Sequence, residues 1–275
     1  MSNIIVCTNF SETSRNALSY TCSLVSKKAD KEEISILLLN VYTIPINYSG
    51  DGIAMVTINN ALDDAEADLR SELEWVHEEY PQLNIFGKVT TGRLLEALRD
   101  QIQDIAASFV ILGTGGKYGD LWSWDSDILH ALRDLTIPVL TIPPNVTYKP
   151  LQNIAFACNL KNVSRNTPFS RVINLVHFTE AKLHIVYVKG HELKRSAIET
   201  ENEQLVYNSL KEIEPVYHTL FENEVVQAIG RFVEDNDIQL LLVMPRRHGI
   251  WESLFHKSFT KELARLNHLP IMALH

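Results

Sequence analysis

A glycine-rich turn follows one of the apolar runs in the first half of the chain and carries residue types that bind phosphate. Gly113, Thr114, Gly115 and Gly116 are followed at once by Lys117. Glycine allows backbone N–H groups to approach phosphate oxygens, and a lysine ammonium neutralises their charge. The turn therefore predicts a nucleotide site with contacts from Gly113, Thr114, Gly116 and Lys117.

Two further candidate contacts, Ser126 and Asp127, follow the glycine-rich turn in the sequence. The Ser126 hydroxyl can donate a hydrogen bond, but Asp127 puts an anion beside a predicted helix start, where phosphate would sit. We therefore expect nucleotide binding to be weak. The alternative, that the turn only joins a strand to a helix and uses glycine for positive φ, stays open.

Two common nucleotide fingerprints are absent from the glycine-rich turn. No glycine stands five positions before Gly116, as the Walker A spacing would require, and Tyr118 occupies the last glycine position of the dinucleotide fingerprint. The sequence gives no support to cofactor chemistry through either motif.

The second half has no glycine cradle at the matching position, where Pro245 begins a basic stretch. The cationic residues there are Arg246, Arg247, His248, His256, Lys257 and Lys261. One interpretation is a site for an anion or an acidic partner at the start of the last helix. The other is a solvated basic rim that pairs with the acidic first half.

Catalytic and metal interpretations receive little support from the sequence. The 10 His residues are scattered without the spacing of a helical ligand pair, so we predict no metal site. Ser11 is better explained as a helix N-cap than as a nucleophile. The tryptophans Trp122, Trp124 and Trp251 follow matching strands in the two halves, where they either bracket a ligand or pack between domains.

Composition and charge narrow the class of protein. The chain has 275 residues, 45% of them hydrophobic, and a net charge of -9. Residues 1–146 carry 10 Lys and Arg against 20 Asp and Glu, and such an acidic surface disfavours nucleic-acid binding. Three cysteines without metal-ligand spacing indicate reduced thiols, and no apolar run is long enough to cross a membrane. We expect a cytoplasmic protein.

Short β-branched runs alternate with helical patterns along the whole chain, which predicts α/β domains with parallel sheets. The strands predicted in the first half are 3–8, 34–41, 84–89, 109–112 and 139–142; those in the second half are 153–157, 183–188, 216–220, 240–244 and 271–274. Helices are predicted from Ser11, over 58–79, over 94–107 and over 127–134. An apolar stripe at helical spacing marks the second of these as core-facing.

The second half repeats the plan of the first. NIIVCTNFSETSRNAL from Asn3 matches NIAFACNLKNVSRNTP from Asn153, and TIPVLTIP from Thr136 matches HLPIMALH from His268. We predict two like domains, residues 1–145 and 151–275. The segment 143–152 is then a stiff linker because it holds three prolines.

These features together resemble the universal stress protein family over essentially the whole chain. NFSETSRNAL looks like the end of the family's first strand and the start of its first helix. Asn9 stands where the family has an aspartate, and Asn159 is the corresponding residue of the second copy. LLLNVY, FVILGTGGKYG and IPVLTIP look like the family's second, fourth and last strands.

The resemblance implies a Rossmann-like fold of the adenine nucleotide alpha hydrolase type in each half, with five parallel strands and helices on both faces. It also implies, in some members, ATP at the carboxyl ends of the first, second and fourth strands, which here adds Thr8, Asn9 and Val41 to the predicted site. Family members commonly dimerise, and a tandem chain can pair its own halves. The implied function is stress-response binding and signalling without catalysis; the alternatives are a slow nucleotide hydrolase and an interaction module without a ligand.

Overall fold

The chain forms two compact units, Met1–Tyr148 and Lys149–His275, in a computed structural model. The structure describes residues 2–28, 33–42, 52–114, 130–189, 196–222, 224–244 and 268–275. Within these residues no helix is long and apolar enough to cross a membrane.

Unit 1 contains a parallel sheet of five strands. The strands are β1 (Ser2–Thr8), β2 (Ile34–Tyr42), β3 (Asn84–Thr91), β4 (Ala107–Gly113) and β5 (Val139–Ile142). Their spatial order is β3-β2-β1-β4-β5, and every described pairing is parallel. The chain runs outward from β1 to β3 and then returns to β4, so the direction of winding reverses between β1 and β4.

Two helices of unit 1 begin where the sequence predicts, after Ser11 and at Leu94, whereas the second begins at Gly52, six residues before its predicted start at residue 58. The helices are α1 (Glu12–Ser26), α2 (Gly52–Glu79) and α3 (Leu94–Asp104), and residues 130–134 are also helical. The predicted N-cap at Ser11 is confirmed, because its side chain accepts a hydrogen bond from the backbone N of Ser14. On α2 the predicted stripe buries Leu69 and Val76. Helix α3 ends before its predicted limit because β4 already begins at Ala107.

Unit 2 repeats the architecture of unit 1. Its strands are β6 (Asn153–Ala157), β7 (Lys182–Lys189), β8 (Val216–Phe221), β9 (Leu240–Val243) and β10 (Ile271–Ala273), and its described helices are α4 (Phe169–Thr179), α5 (Ala197–Leu210) and α6 (Val225–Asp235). The strand order is β8-β7-β6-β9-β10, the same winding as in unit 1. The predicted α/β class and the ten predicted strands are confirmed, with ends that differ by at most two residues.

The first part of the predicted linker belongs to unit 1. The side-chain Nδ2 of Asn16, on α1, donates to the backbone O of Pro143 at 2.9 Å and of Val146 at 3.1 Å. The rings of Tyr20 and Tyr148 pack edge to face at 5.4 Å. These contacts hold residues 143–148 against α1, so this part of the predicted stiff linker packs on unit 1.

All three cysteines are free and buried. Burial raises the pKa of the Cys7, Cys22 and Cys158 thiols to about 12. They are therefore neutral core residues, which agrees with the interpretation as reduced thiols.

Candidate functional site

The candidate site of unit 1 lies at the carboxyl ends of β1 and β4, where the winding of the sheet reverses. Open α/β sheets bind ligands at this switch point. The β1–β4 register pairs Val6 with Ile111, so Thr8 and Gly113 end their strands side by side. The fold thus brings the two predicted halves of the site, Thr8 with Asn9 and Gly113 with Thr114, to one edge of the sheet.

Thr8 serves the interior of unit 1. Its side chain is fully buried, and its hydroxyl donates to Oε2 of Glu72 at 2.9 Å and accepts from the backbone N of Phe10 at 3.0 Å. The backbone O of Thr8 accepts from Nδ2 of Asn40 at 2.9 Å. The Thr8 side chain is therefore part of the interior hydrogen-bond network of unit 1, and its predicted contact with a ligand stays a prediction.

Asn9 is exposed and shapes the turn into α1. Its Oδ1 accepts from the backbone N of Ser11 at 3.2 Å and from the Ser11 hydroxyl at 2.6 Å. Phe10, between them, has a φ of 62°, a left-handed conformation that costs a non-glycine residue free energy and is held here by the flanking hydrogen bonds. Asn9 Nδ2 has no hydrogen bond to the described residues, so Asn9 can reach a ligand in the crevice.

The cap at Ser11 supports a prediction about stability. We expect Ser11→Ala to lower the free energy of unfolding of unit 1 by about 1 kcal/mol, because the backbone N of Ser14 loses its acceptor at 3.3 Å. Ser11→Asp provides an acceptor again and is expected to recover most of the loss. Urea denaturation of the three proteins measures both effects, and equal stability of all three would contradict the assigned cap.

Gly113 is required by packing. A Cβ at this position would lie 2.5 Å from the backbone O and 2.7 Å from the backbone C of Thr13. The first turn of α1 therefore passes so close to the end of β4 that only glycine fits. Sequence reasoning connected this glycine to phosphate access, whereas the described contacts explain it by the approach of a helix.

The backbone of Thr114 is also committed to the fold. Its N–H donates to the backbone O of Ile142 at 2.9 Å, which extends the β4–β5 pairing one residue beyond Gly113. This N–H therefore belongs to the sheet, and the predicted contact of Thr114 with a nucleotide stays a prediction. Val41, at the end of β2, is half-buried. The remaining predicted contacts, Gly116, Lys117, Ser126 and Asp127, lie outside the described residues.

Glu72 is the residue of the site that sequence reasoning missed. This carboxyl, on α2, is 1% exposed, and Nε of Arg15 lies 3.5 Å from its Oε1. Burial raises the pKa of Glu72, and the hydrogen bond from Thr8 and the charge of Arg15 only partly oppose this shift. A sequence signal existed, because Glu72 stands three residues after Leu69 and four before Val76, within the apolar stripe of α2.

Two buried acceptors next to Thr8 lack a hydrogen-bond donor among the described residues. They are Oδ1 of Asn40 and Oε1 of Glu72, and among these residues the Glu72 atom has only the ion pair with Arg15 at 3.5 Å. Unsatisfied buried polar atoms are uncommon because each costs free energy. The polar groups of this edge are thus arranged around an acidic side chain, which disfavours an anionic ligand next to it.

The corresponding edge of unit 2 is built differently. Asn159, after β6, accepts from the backbone N of Lys161 at 3.1 Å and caps a short 3₁₀ turn. Glu199 accepts from the Tyr187 hydroxyl at 2.5 Å and from the backbone N of Ser196 at 2.7 Å, and these hydrogen bonds lower the pKa of Glu199 to about 2. Unit 2 therefore holds an ionised, satisfied carboxylate. The basic cluster predicted from Arg246 to Lys261 and the three tryptophans, predicted either to bracket a ligand or to pack between domains, lie outside the described residues.

Two histidines of unit 2 form a pair that their sequence spacing did not indicate. Nδ1 of His184 lies 3.0 Å from Nε2 of His218, and their rings stack at 5.2 Å. Burial lowers the pKa of both. Among the described residues no group of three or more His, Cys, Asp or Glu side chains could hold a metal ion.

No protein-family model matches this chain, and no curated protein matches it. Solved structures do. A universal stress protein from Archaeoglobus fulgidus DSM 4304 is 15% identical and has a TM-score of 0.67, with 99% of this chain and 95% of that chain covered.

A functionally unknown protein from Pseudomonas aeruginosa PAO1 is also 15% identical, with a TM-score of 0.57 and coverage of 100% of this chain and 92% of that chain. At these identities the comparisons establish the fold. Each of the two structures is covered almost throughout by a chain with two α/β units.

Proposed function

We propose that this chain, which shares its fold with a universal stress protein over both units, is a binding and signalling protein of that family and not an enzyme. We further propose that it works in the cytoplasm in the stress response. The observation that carries the proposal is the meeting of β1 and β4 at the switch point of unit 1, where Asn9 stands exposed beside the end of β4.

The same edge supports weak nucleotide binding, with recognition of the base favoured over recognition of the phosphates. Two of the predicted phosphate contacts, Gly113 and Thr114, are taken up by packing and by sheet pairing. The buried acidic side chain of Glu72 disfavours a polyphosphate nearby. An exposed amide such as that of Asn9 can form hydrogen bonds with a purine edge.

A ligand titration tests this function. We expect ATP with magnesium, and adenosine alone, to give saturable increases in melting temperature, with dissociation constants within about tenfold of each other. Gly116→Trp, which puts a bulky side chain at a predicted phosphate contact, is expected to reduce the shift with ATP and to leave the shift with adenosine unchanged. Asn9→Ala is expected to lower the affinity for ATP and the affinity for adenosine by the same factor.

The same titration separates the alternatives. No shift with either ligand would contradict the nucleotide site and favour an interaction module. Binding of ATP more than a hundredfold tighter than adenosine would contradict recognition through the base. Phosphate release from ATP above the buffer rate, and absent in Gly116→Trp, would contradict the assignment as a non-enzyme.

A further inference from the structure

Most of the exposed large apolar side chains of the described residues lie on two neighbouring elements of unit 2. They are Ile198 and Tyr207 on α5, 62% and 56% exposed, and Tyr217 and Phe221 on β8, 41% and 60% exposed; the fifth, Phe86, is on β3. We call the face that carries Tyr207, Tyr217 and Phe221 the α5–β8 surface. Exposed apolar groups that cluster in this way mark interaction sites more often than scattered ones do.

Tyr207, Tyr217 and Phe221 share one face of the unit, because Tyr217 and Phe221, four residues apart on β8, point to the same side of the sheet. The rings of Tyr207 and Tyr217 are 6.1 Å apart, which joins the middle of α5 to the start of β8. Helix α5 begins after β7 ends and runs back towards the start of β8. Ile198 stands nine residues before Tyr207, about half a turn away around the helix axis, so it lies outside this surface.

Strand β8 has an open edge. It is the outer strand of unit 2, paired only with β7 among the described residues. The backbone N of Glu222 donates to the backbone O of Lys189 at 3.0 Å. Because strand residues alternate in direction, the N–H and C=O groups of Tyr217, Thr219 and Phe221 point away from β7. An open row of this kind is a template for another strand.

The charge of this surface is strongly negative. Residues 196–222 carry six Glu and one Lys, whereas the rest of unit 2 carries 14 Lys and Arg against 8 Asp and Glu. Glu201, Glu212 and Glu214 are exposed. Of the other carboxylates, Glu199 is buried in its capping box and Glu222 pairs with Arg231 at 2.9 Å.

We propose that the α5–β8 surface binds an extended segment of another protein, rich in Lys or Arg with apolar residues between, which adds as a strand to the open edge of β8. Backbone hydrogen bonds to Thr219 and its neighbours give affinity. The apolar side chains of the segment cover Tyr217 and Phe221, and its cations face the exposed glutamates. This inference is independent of the nucleotide site.

A second copy of the chain fits this surface less well. An isologous contact through β8 would place the same acidic surface opposite itself. Like charges facing each other across an interface cost free energy and suppress that pairing. A basic partner removes this repulsion.

Binding of a synthetic peptide tests the proposal. The probe is a fluorescein-labelled nonapeptide of alternating Lys and Val, and its control has Glu in place of every Lys. We expect saturable binding of the Lys peptide, measured by fluorescence anisotropy, and no binding of the Glu peptide. The affinity is expected to fall as salt is raised from about 0.05 M to about 0.5 M, because the surface charges are screened.

Thr219 allows a sharp pair of variants. Thr219→Pro removes an outward N–H that β7 does not use, and proline is tolerated on an edge strand. We expect this variant to bind the Lys peptide about tenfold or more weakly than the parent chain does. Thr219→Val keeps the N–H and is expected to bind the peptide as tightly as the parent chain. Circular dichroism establishes that both variants are folded. Equal binding by Thr219→Pro and the parent would overturn strand addition.

A modified peptide covers the case in which Thr219→Pro does not fold. N-methylation of alternate peptide residues blocks backbone pairing and leaves the charge unchanged. Two peptides are compared, one methylated at the odd positions and one at the even positions. If both bind as tightly as the unmethylated peptide, strand addition is overturned. Sedimentation of the unliganded chain tests whether a second copy occupies this edge. A dimer that dissociates in Thr219→Pro would assign the edge to a second copy and overturn the proposal of a different, basic partner.

Discussion

Gly113→Ala is expected to destabilise unit 1 by about 3 kcal/mol. The added Cβ meets backbone atoms of Thr13 at 2.5 and 2.7 Å, and backbone cannot rotate away as a side chain can. The first turn of α1 must therefore move off β4, which also disturbs the Ser11 cap. Urea denaturation combined with hydrogen exchange of peptides from β1 and β4 measures the loss in unit 1.

Gly87 provides the matched control. A Cβ at Gly87 would lie 2.8 Å from side-chain atoms of Leu69 and Leu73, and leucine side chains can change rotamer. We expect Gly87→Ala to cost clearly less than Gly113→Ala. A Gly113→Ala protein as stable as Gly87→Ala would show that the end of β4 has room for a side chain. Because Gly113→Ala perturbs packing, Gly116→Trp is the better probe of ligand binding.

Glu72→Gln is expected to stabilise unit 1 at neutral pH by more than about 0.5 kcal/mol, the scale of an ordinary surface substitution. The amide keeps the volume of the side chain and an acceptor for the Thr8 hydroxyl, and it removes a charge that burial disfavours. The free energy of unfolding at pH 7, from urea curves followed by hydrogen exchange in unit 1, measures the difference.

The pH dependence of the same variant follows from the direction of the Glu72 pKa shift. The pKa is raised above the ordinary 4.5 by burial, so the folded protein holds this proton at pH values where the unfolded chain has lost it. The contribution of Glu72 to stability is therefore complete below about pH 4.5 and declines as the pH rises through the folded pKa. Glu72→Gln lacks this decline, and its advantage over the parent should vanish near pH 4.

Glu199→Gln in unit 2 is the control of opposite sign. Hydrogen bonds from Tyr187 and Ser196 lower the pKa of Glu199 to about 2. Its contribution is present above the ordinary pKa of 4.5 and is lost as the pH falls towards 2. Glu199→Gln should therefore destabilise unit 2 at neutral pH. If both variants changed stability in the same direction at pH 7, the contrast between the two buried carboxyls would be wrong.

Local patterns in the sequence were enough for the fold of each unit. Most of the strands are nearly continuous apolar runs, although β3 and β8 also carry polar residues. The Ser11 cap depends on residues at most three positions apart. The repeated order of the runs predicted two like units. These features are local because strand and cap propensities act between near neighbours.

The roles of individual residues at the site depended on contacts between distant parts of the chain. Glu72 reaches Thr8 across 64 residues of sequence, and the backbone of Thr13 excludes a side chain at Gly113. The sequence shows the same residue whether glycine is needed for the approach of a phosphate or for the approach of a helix. Only packing distinguishes them, because the free volume around a residue is set by what the fold brings beside it.

The α5–β8 surface shows the same limit. Tyr207 and Tyr217 have residue types typical of a core, and β8 was predicted as a strand like the others. Its position at the open edge of unit 2 follows from the strand order. The sequence by itself determined that this segment is a strand, and the tertiary structure decided which of its backbone and apolar groups remain exposed.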